Sequence, residues 1–337
     1  MDAVNLDAML ARFDEHWSPK TIARVNDVPQ PRENQVRVAS GAPDDGGMPW
    51  SVSEDLDEFD RAAGPFLAAR PTQNTVALTI AQTLHAEGPR AFGGAPLFGW
   101  WQPPGGPVAG ACVQTPPYPL LIAGEPPGDA VRELADRLAA AGRPLPGVNS
   151  AEATASQFAQ QWGLRTGAAA SVYQRSRLYR LAGLVDPEPA PAGRARVAGA
   201  ADRDLLIGWW QAFGREAGSL ADGDSGRMVD SRLGHGGITL WEDGGRPVSM
   251  AALNRPAAGA TRVGPVYTPP DLRGRGYASA VTAAVSRAAL AAGAREVVLF
   301  TDLANPTSNA LYQRLGYQPV EDRVILSFAP DPPTGPG

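Results

Sequence analysis

Short apolar runs broken by Gly-Pro turns occur twice along the chain in the same order. In the first copy, residues 97–101, 108–113 and 120–122 read as three strands, because runs of this length bounded by Gly and Pro suit strands better than helices. An alanine-rich stretch at 130–141 then reads as a helix. The second copy repeats that order with strands at 238–242, 247–252 and 263–268, the turn Asp243-Gly244-Gly245-Arg246 between the first two, and a helix at 278–292. Two diverged α/β units follow, each with several strands ahead of a helix. Beyond the second copy, 296–301 reads as a strand, Pro306 behind the capping residue Asn305 starts a helix that Gly316 ends, and 323–328 closes the unit as a strand. Residues 174–181 read as the first unit's closing strand, one that could pair with the next unit.

Proline divides these units. The run Asp186-Pro187-Glu188-Pro189-Ala190-Pro191-Ala192-Gly193 cannot be helical and reads as an extended spacer. The expected organisation is an N-terminal appendage at 1–47, with a helix-like stretch at 6–17 and a polar, Pro-rich run at 28–47. A degenerate domain follows at 48–185, then a linker at 186–196, a main domain at 197–329 and a frayed tail at 330–337.

Composition narrows the function classes. With 43% hydrophobic and 19% charged residues among 337, the chain has the apolar material for a sizeable core and too little charge for disorder. A net charge of −5 leaves no basic excess for a nucleic acid or an anionic membrane, so neither is an expected partner. Cys112 is the sole cysteine and lies in an apolar run, so it reads as a buried thiol with no intrachain disulfide. His16, His85 and His235 lack ligand spacing, and no metal is expected. The first residues lack a basic, then apolar leader and no 18-residue apolar run occurs, which predicts a cytoplasmic protein.

The most informative stretch joins the strand at 263–268 to the helix at 278–292 through Arg273-Gly274-Arg275-Gly276. Two glycines beside arginines at a helix start let the backbone bend around an anion, and the free first-turn amides and the helix dipole add to the attraction. The expected ligand there is a phosphate or pyrophosphate. The glycine spacing is neither Gly-x-Gly-x-x-Gly nor the Walker pattern, which argues against a dinucleotide and an NTPase loop. Downstream, Tyr312 lies four residues after Ser308 and so on one helix face with it.

These two motifs resemble those of the GCN5-related N-acetyltransferase (GNAT) superfamily. Its Arg/Gln-x-x-Gly-x-Gly/Ala loop is matched by Arg273, Gly276 and Ala278. Its Asn-Pro-x-Ser/Ala-x-x-x-Tyr helix followed by Leu-Gly-Tyr/Phe is matched by Asn305, Pro306, Ser308, Asn309, Tyr312, Leu315, Gly316 and Tyr317. The likeness covers about 130 residues, 197–328, and Tyr267-Thr268-Pro269-Pro270 places it nearest a subgroup with Tyr-Thr-Pro-Pro at this point. It implies an α/β (α+β) fold of two GNAT-like domains, each a mixed, mostly antiparallel sheet flanked by helices. It also implies acetyl-CoA or another acyl-CoA in a V-shaped split between the fourth and fifth strands.

By the same resemblance, backbone around Val266, Tyr267 and Thr268 contacts the pantetheine arm and thioester carbonyl. Amides of Gly274, Arg275, Gly276, Tyr277, Ala278 and Ser279 hold the pyrophosphate, with Arg273 as the loop's motif arginine. Asn305 meets the pantetheine or the substrate side, Ser308 and Asn309 count with it among the cofactor-binding residues, and Tyr312 sits near the sulfur as general acid. Pro269 and Pro270 have no amide hydrogen and cannot be donors. The first copy lacks the loop: after residue 122 it runs Ala123-Gly124-Glu125-Pro126-Pro127-Gly128-Asp129, whose acids and prolines suit a pyrophosphate poorly.

Acyl transfer to an amine by direct attack needs no enzyme nucleophile, and none is apparent. Glu242, Asp302, Glu216, His235 or a water chain are the candidates for general base. The expected acceptor is a small-molecule amine and the expected state a monomer or homodimer. The alternatives are a non-catalytic acyl-CoA-binding protein and other CoA-thioester chemistry on this fold.

Overall fold

The computed structural model describes residues 50–218 and 225–329, all within the compact unit Met48–Gly337. The stretches 6–17 and 28–47 and the tail 330–337 lie outside the described residues.

The first half opens with β1 (Ser51–Ser53), α1 (Leu56–Ala69) and α2 (Thr75–Glu87). Strands β2 (Leu97–Trp101), β3 (Gly110–Gln114) and β4 (Leu120–Gly124) follow, then α3 (Gly128–Ala140), β5 (Gly147–Ala151), α4 (Glu152–Thr166) and the long β6 (Ala169–Leu181). The second half comprises β7 (Arg194–Val197), α5 (Arg203–Ala217), α6 (Ser225–Leu233), β8 (Ile238–Asp243), β9 (Arg246–Leu253) and β10 (Ala260–Tyr267). It ends with α7 (Tyr277–Ala291), β11 (Glu296–Asp302), α8 (Pro306–Arg314) and β12 (Tyr317–Ala329).

The fold is mixed α/β with a mostly antiparallel sheet flanked by helices, as expected, but the halves share one sheet. Its twelve strands run β1-β2-β3-β4-β5-β12-β6-β11-β10-β9-β8-β7. The order is mirrored about its centre: β1 to β5 answer β7 to β11, and only β4–β5 and β10–β11 are parallel. Each half ends in the other. Strand β6 leaves the first half and pairs with β11, while β12 leaves the second and pairs with β5. The two exchanged strands then pair with each other from Tyr317↔Leu181 to Ala329↔Ala169. Residues 186–193 therefore connect two halves of one sheet, and β7 begins at Arg194, inside the expected linker.

The core follows this exchange. Val324, Leu326 and Phe328 of β12 pack among Leu134, Val148, Phe158 and Trp162 of the first half. Tyr179 of β6 packs in the second half's cluster with Val263, Val281, Leu299, Tyr312 and Tyr317. Cys112 is buried in the first-half core, and burial pushes its thiol up to about 12, so it is a packing residue there. On the opposite face of the second half, α5 and α6 pack through Leu206 and Val229 against Leu240, Met250 and Tyr267.

Gly316, the glycine of the Leu-Gly-Tyr motif, owes its place to this architecture. It adopts φ 91°, and a Cβ there would lie 1.8 Å from the carbonyl oxygen of Gly183, which follows the exchanged β6. Backbone cannot retreat as a side-chain tip can. Gly316→Ala is expected to destabilise the protein by about 3 kcal/mol or more through this clash and the left-handed backbone, read as a shifted denaturant midpoint with unchanged slope.

Candidate acyl-CoA site

Strands β10 and β11 begin as parallel neighbours and then part. Their register runs from Ala260↔Glu296 to Val263↔Leu299 and stops there. Beyond that point β10 pairs only with β9, through Val266↔Ala251 and Tyr267↔Met250, and β11 only with β6, to Asp302↔Ser176. Pro265 stands where the ladder ends, a residue with no amide hydrogen to donate to it. The split thus lies in the middle of the sheet, open along 264–267 on one side and 300–302 on the other.

The Gly-rich turn sits at the mouth of this split. Gly274 and Gly276 have φ of 76° and 81°, the left-handed region that glycine enters without steric cost. Gly276 is the N-cap of α7, with no side-chain cap, and the first intrahelical bond runs from the Ala280 amide to its carbonyl. The amides of Tyr277, Ala278 and Ser279 are therefore left without intrahelical partners, at the positive end of a 15-residue helix dipole. Residues 273–276 are exposed. Free backbone donors and the helix dipole together suit this turn to an anion.

Side chains around the turn hold its shape. Arg273 donates from Nε to the Thr268 carbonyl at 2.9 Å and from a terminal nitrogen to Glu216 of α5 at 2.6 Å, and lies 5.9 Å from the Tyr267 ring centre. Its guanidinium thus braces the end of β10, and the turn's contribution to a ligand falls to its backbone. Ser249 of β9 donates to the Tyr267 carbonyl at 3.0 Å and pairs with the Thr268 hydroxyl at 2.8 Å. Tyr277 points back to the β8–β9 turn, where its hydroxyl donates to Asp243 at 2.5 Å, a bond that pushes the phenol's pKa up. Val266 packs toward α7 and Tyr267 toward α5, where Trp209 lies 6.1 Å from its ring.

Helix α8 stands beside the other arm of the split. Asn305 caps it, its side-chain oxygen accepting from the Ser308 amide at 3.0 Å. The Asn309 side chain donates to the carbonyls of Asp302 and Asn305, both at 2.8 Å, and accepts from the hydroxyl of Tyr179 at 2.9 Å. It acts as a clasp between α8, β11 and the exchanged strand, and Gln313 adds a bond to the same hydroxyl at 3.1 Å. Tyr312 is buried against Tyr317, and burial pushes its phenol up to about 12. It stays protonated across the neutral range.

The four candidate bases separate by position. Glu242 is bound to Arg196 at 2.6 Å at the far edge of the sheet. His235 turns both ring nitrogens to carbonyls, of Ser231 at 2.8 Å and Leu253 at 3.4 Å. Asp302 closes the turn into α8, accepting from the Ala304 amide at 2.7 Å. Glu216 reaches the end of β10, 3.5 Å from the Tyr267 hydroxyl.

The mirrored split in the first half is filled. Strands β4 and β5 pair only at Leu120↔Val148 and Leu121↔Asn149, and the side chain of Arg323 from β12 enters beyond them. Its guanidinium donates to the Ile122 carbonyl at 3.1 Å and to the Asn149 side-chain oxygen at 3.3 Å, and pairs with Glu321 at 3.0 Å. Sequence reasoning missed Arg323 because no local signal marks an arginine in a terminal strand as a plug for a distant split. Among the described residues, no group of three or more His, Cys, Asp or Glu could hold a metal ion, and no helix is long and apolar enough to cross a membrane.

The uncapped N-terminus of α7 thus stands beside two parallel strands that part. Residues 205–317 match the acetyltransferase (GNAT) family. The fold agrees. An acetyltransferase of the GNAT family from Colwellia psychrerythraea is 12% identical and overlaps 83% of this chain and 98% of its own, with a TM-score of 0.53. A GCN5-related N-acetyltransferase from Sphaerobacter thermophilus is 18% identical over 85% of this chain and 98% of its own, with a TM-score of 0.52. A Drosophila protein is 14% identical over 85% and 100%, with a TM-score of 0.59. These likenesses extend across both halves of the described chain. No curated protein matches the sequence.

Proposed function

We propose that the chain is an acyl-CoA-dependent N-acyltransferase that moves an acetyl group from acetyl-CoA to the amine of a small molecule by direct attack. The observation that carries this reading is the parting of β10 and β11 beside the open N-terminus of α7. In this reading the amides from Gly274 to Ser279 hold the pyrophosphate, and the free edge of β10 at Val266, Tyr267 and Thr268 lines the pantetheine arm and offers an amide to the thioester oxygen. Asn305 and Ser308 stand on the opposite wall. Tyr312 holds its proton at neutral pH and supplies it to the departing thiolate.

The first half is a degenerate GNAT-like copy in this reading, with Arg323 standing where its own ligand would enter. Titration calorimetry with acetyl-CoA is therefore expected to give one site per chain. Tyr312→Phe is expected to bind acetyl-CoA as the parent does and to lower the amine-dependent release of CoA by about 100-fold, the range for a general acid. Two sites, or no binding by the folded chain, would overturn the reading; binding without CoA release from any amine would leave an acyl-CoA-binding protein.

A further inference from the structure

Strands β5 and β11 hold equivalent places in the two halves, and each ends opposite an exchanged strand. The last residue of β5, Ala151, pairs with Arg323 of β12, and the last residue of β11, Asp302, pairs with Ser176 of β6. Three residues before those ends, Val148 packs toward α3 and α4, and Leu299 packs toward α7 and α8. An odd step along a strand reverses the face, so Arg323 beside Ala151 and Ser176 beside Asp302 both lie on the face away from those helices. Ser176 therefore has in the second half the position that Arg323 has in the first.

What stands at that position differs in size and charge. In the first half it is a cation of the chain itself, the buried guanidinium of Arg323, which reaches between the parting strands to the Ile122 carbonyl at 3.1 Å and the Asn149 side chain at 3.3 Å. In the second half it is a serine, too short to cross the split, and the residue opposite is a carboxylate where the first half has Ala151. One oxygen of Asp302 accepts from the Ala304 amide at 2.7 Å, which fixes the carboxyl group at the strand end. Among the described residues its other oxygen and the Ser176 hydroxyl make no hydrogen bond, and no cation pairs with Asp302. The adjacent arginines are taken by other acids, Arg175 by Glu152 and Arg177 by Asp322. The Leu303 amide donates to the Arg175 carbonyl at 3.0 Å, so Asp302 and Ser176 between them form a non-hydrogen-bonded pair. Cα atoms in such a pair are about 4.5 Å apart and the side chains stand close together. Both residues are half-buried, and so remain open to a ligand.

We propose that Asp302 and Ser176 seat the amine of the acceptor, a primary amine that enters as its cation where Arg323 places a guanidinium in the first half. The inference rests on the proposed acyltransfer and narrows its acceptor. One N–H of the amine donates to the free carboxylate oxygen of Asp302 and another to the Ser176 hydroxyl oxygen, on the face of the sheet away from α7. No bond to either residue is made or broken. Because β6 belongs to the first half, that half supplies one wall of the acceptor site.

The test measures CoA release from acetyl-CoA with methylamine, benzylamine and 1,4-diaminobutane as acceptors, beside calorimetry with acetyl-CoA alone, on the full chain. Asp302→Asn keeps an oxygen for the Ala304 amide, so it leaves the turn into α8 in place and removes only the charge. It is expected to raise the KM of each amine that the parent uses by about tenfold, with acetyl-CoA affinity within about twofold of the parent. The parent's KM is expected to rise with added salt and that of Asp302→Asn to stay level, a difference that a purely structural role would not produce. Ser176→Arg copies the first half's plug and is expected to lower CoA release by about 100-fold or more in a folded protein. An unchanged KM in Asp302→Asn, or parental turnover in Ser176→Arg, overturns the assignment and leaves the acyltransferase reading standing. An equal loss of acetyl-CoA affinity in Asp302→Asn also overturns it, since the residue would then serve the cofactor or the fold. A parent that binds no acetyl-CoA, or releases no CoA with any of these amines, overturns that reading and this assignment together.

Discussion

A chain reduced to residues 190–337 is expected not to fold, although it contains the whole GNAT-family match at 205–317. It lacks β6, the strand between β11 and β12, and with it the only sheet partner of β11 opposite β10. Removing β6 takes away Tyr179, the anchor of Asn309 and Gln313 on α8, and the buried Leu178. At about 1.5–3 kcal/mol per buried side chain, before any loss of strand pairing, the deficit is comparable with a domain's total stability of about 5–15 kcal/mol. Residues 48–185 alone should fare no better, because they lack Val324, Leu326 and Phe328 of β12 and keep the open split that Arg323 fills. The two pieces expressed together should assemble, since all pairing is then available. Circular dichroism and cooperative thermal unfolding of each piece and of the mixture decide the matter, and a cooperatively folded 190–337 fragment would refute it.

Gly276→Asp is expected to weaken acetyl-CoA binding by about 100-fold, or about 3 kcal/mol. Space is not the reason, since the nearest atoms to a Cβ there belong to Pro191 at 3.5 Å, an ordinary contact. Two other effects act together. The left-handed backbone at φ 81° costs an ordinary residue about 1–2 kcal/mol, and in the proposed binding mode a carboxylate at the helix N-cap would face the pyrophosphate at close range. Gly276→Asn separates them, because Asn tolerates that conformation and carries no charge. Calorimetry should show the Asn variant within about tenfold of the parent and the Asp variant far below it. Equal affinity in the parent and the Asp variant would remove the turn from the binding site.

The parts of this protein legible in its sequence are those whose cause is local. The strand–turn–helix at 260–291 and the capped helix at 306–314 announce themselves by glycine, proline and asparagine at fixed offsets, and both stand where expected. The closing strand at 174–181 was legible as a strand able to pair with the next unit, and it does so over a longer span, Ala169–Leu181. Its reciprocal was hidden. Nothing near Arg323 or Phe328 says that β12 completes the first half, because pairing partners about 170 residues apart leave no mark in either stretch. The same distance conceals what Asn309 does: the motif marks it as a ligand contact, while its partners include Tyr179 from the other half. Glu216 was visible only as one acid among several, and its bond to Arg273 depends on how α5 crosses β10.

The exchange of terminal strands also has a price during synthesis. When β5 leaves the ribosome its free edge lacks a partner, and β12, which covers it, begins about 165 residues later. At roughly 5–20 residues per second the nascent first half waits on the order of 10–30 s with an open strand edge and the apolar row Val148, Phe158 and Trp162 uncovered on that side. Pausing or truncation anywhere in the second half therefore leaves an aggregation-prone fragment, so the chain's yield in a cell depends on reaching its last strand with a chaperone at hand.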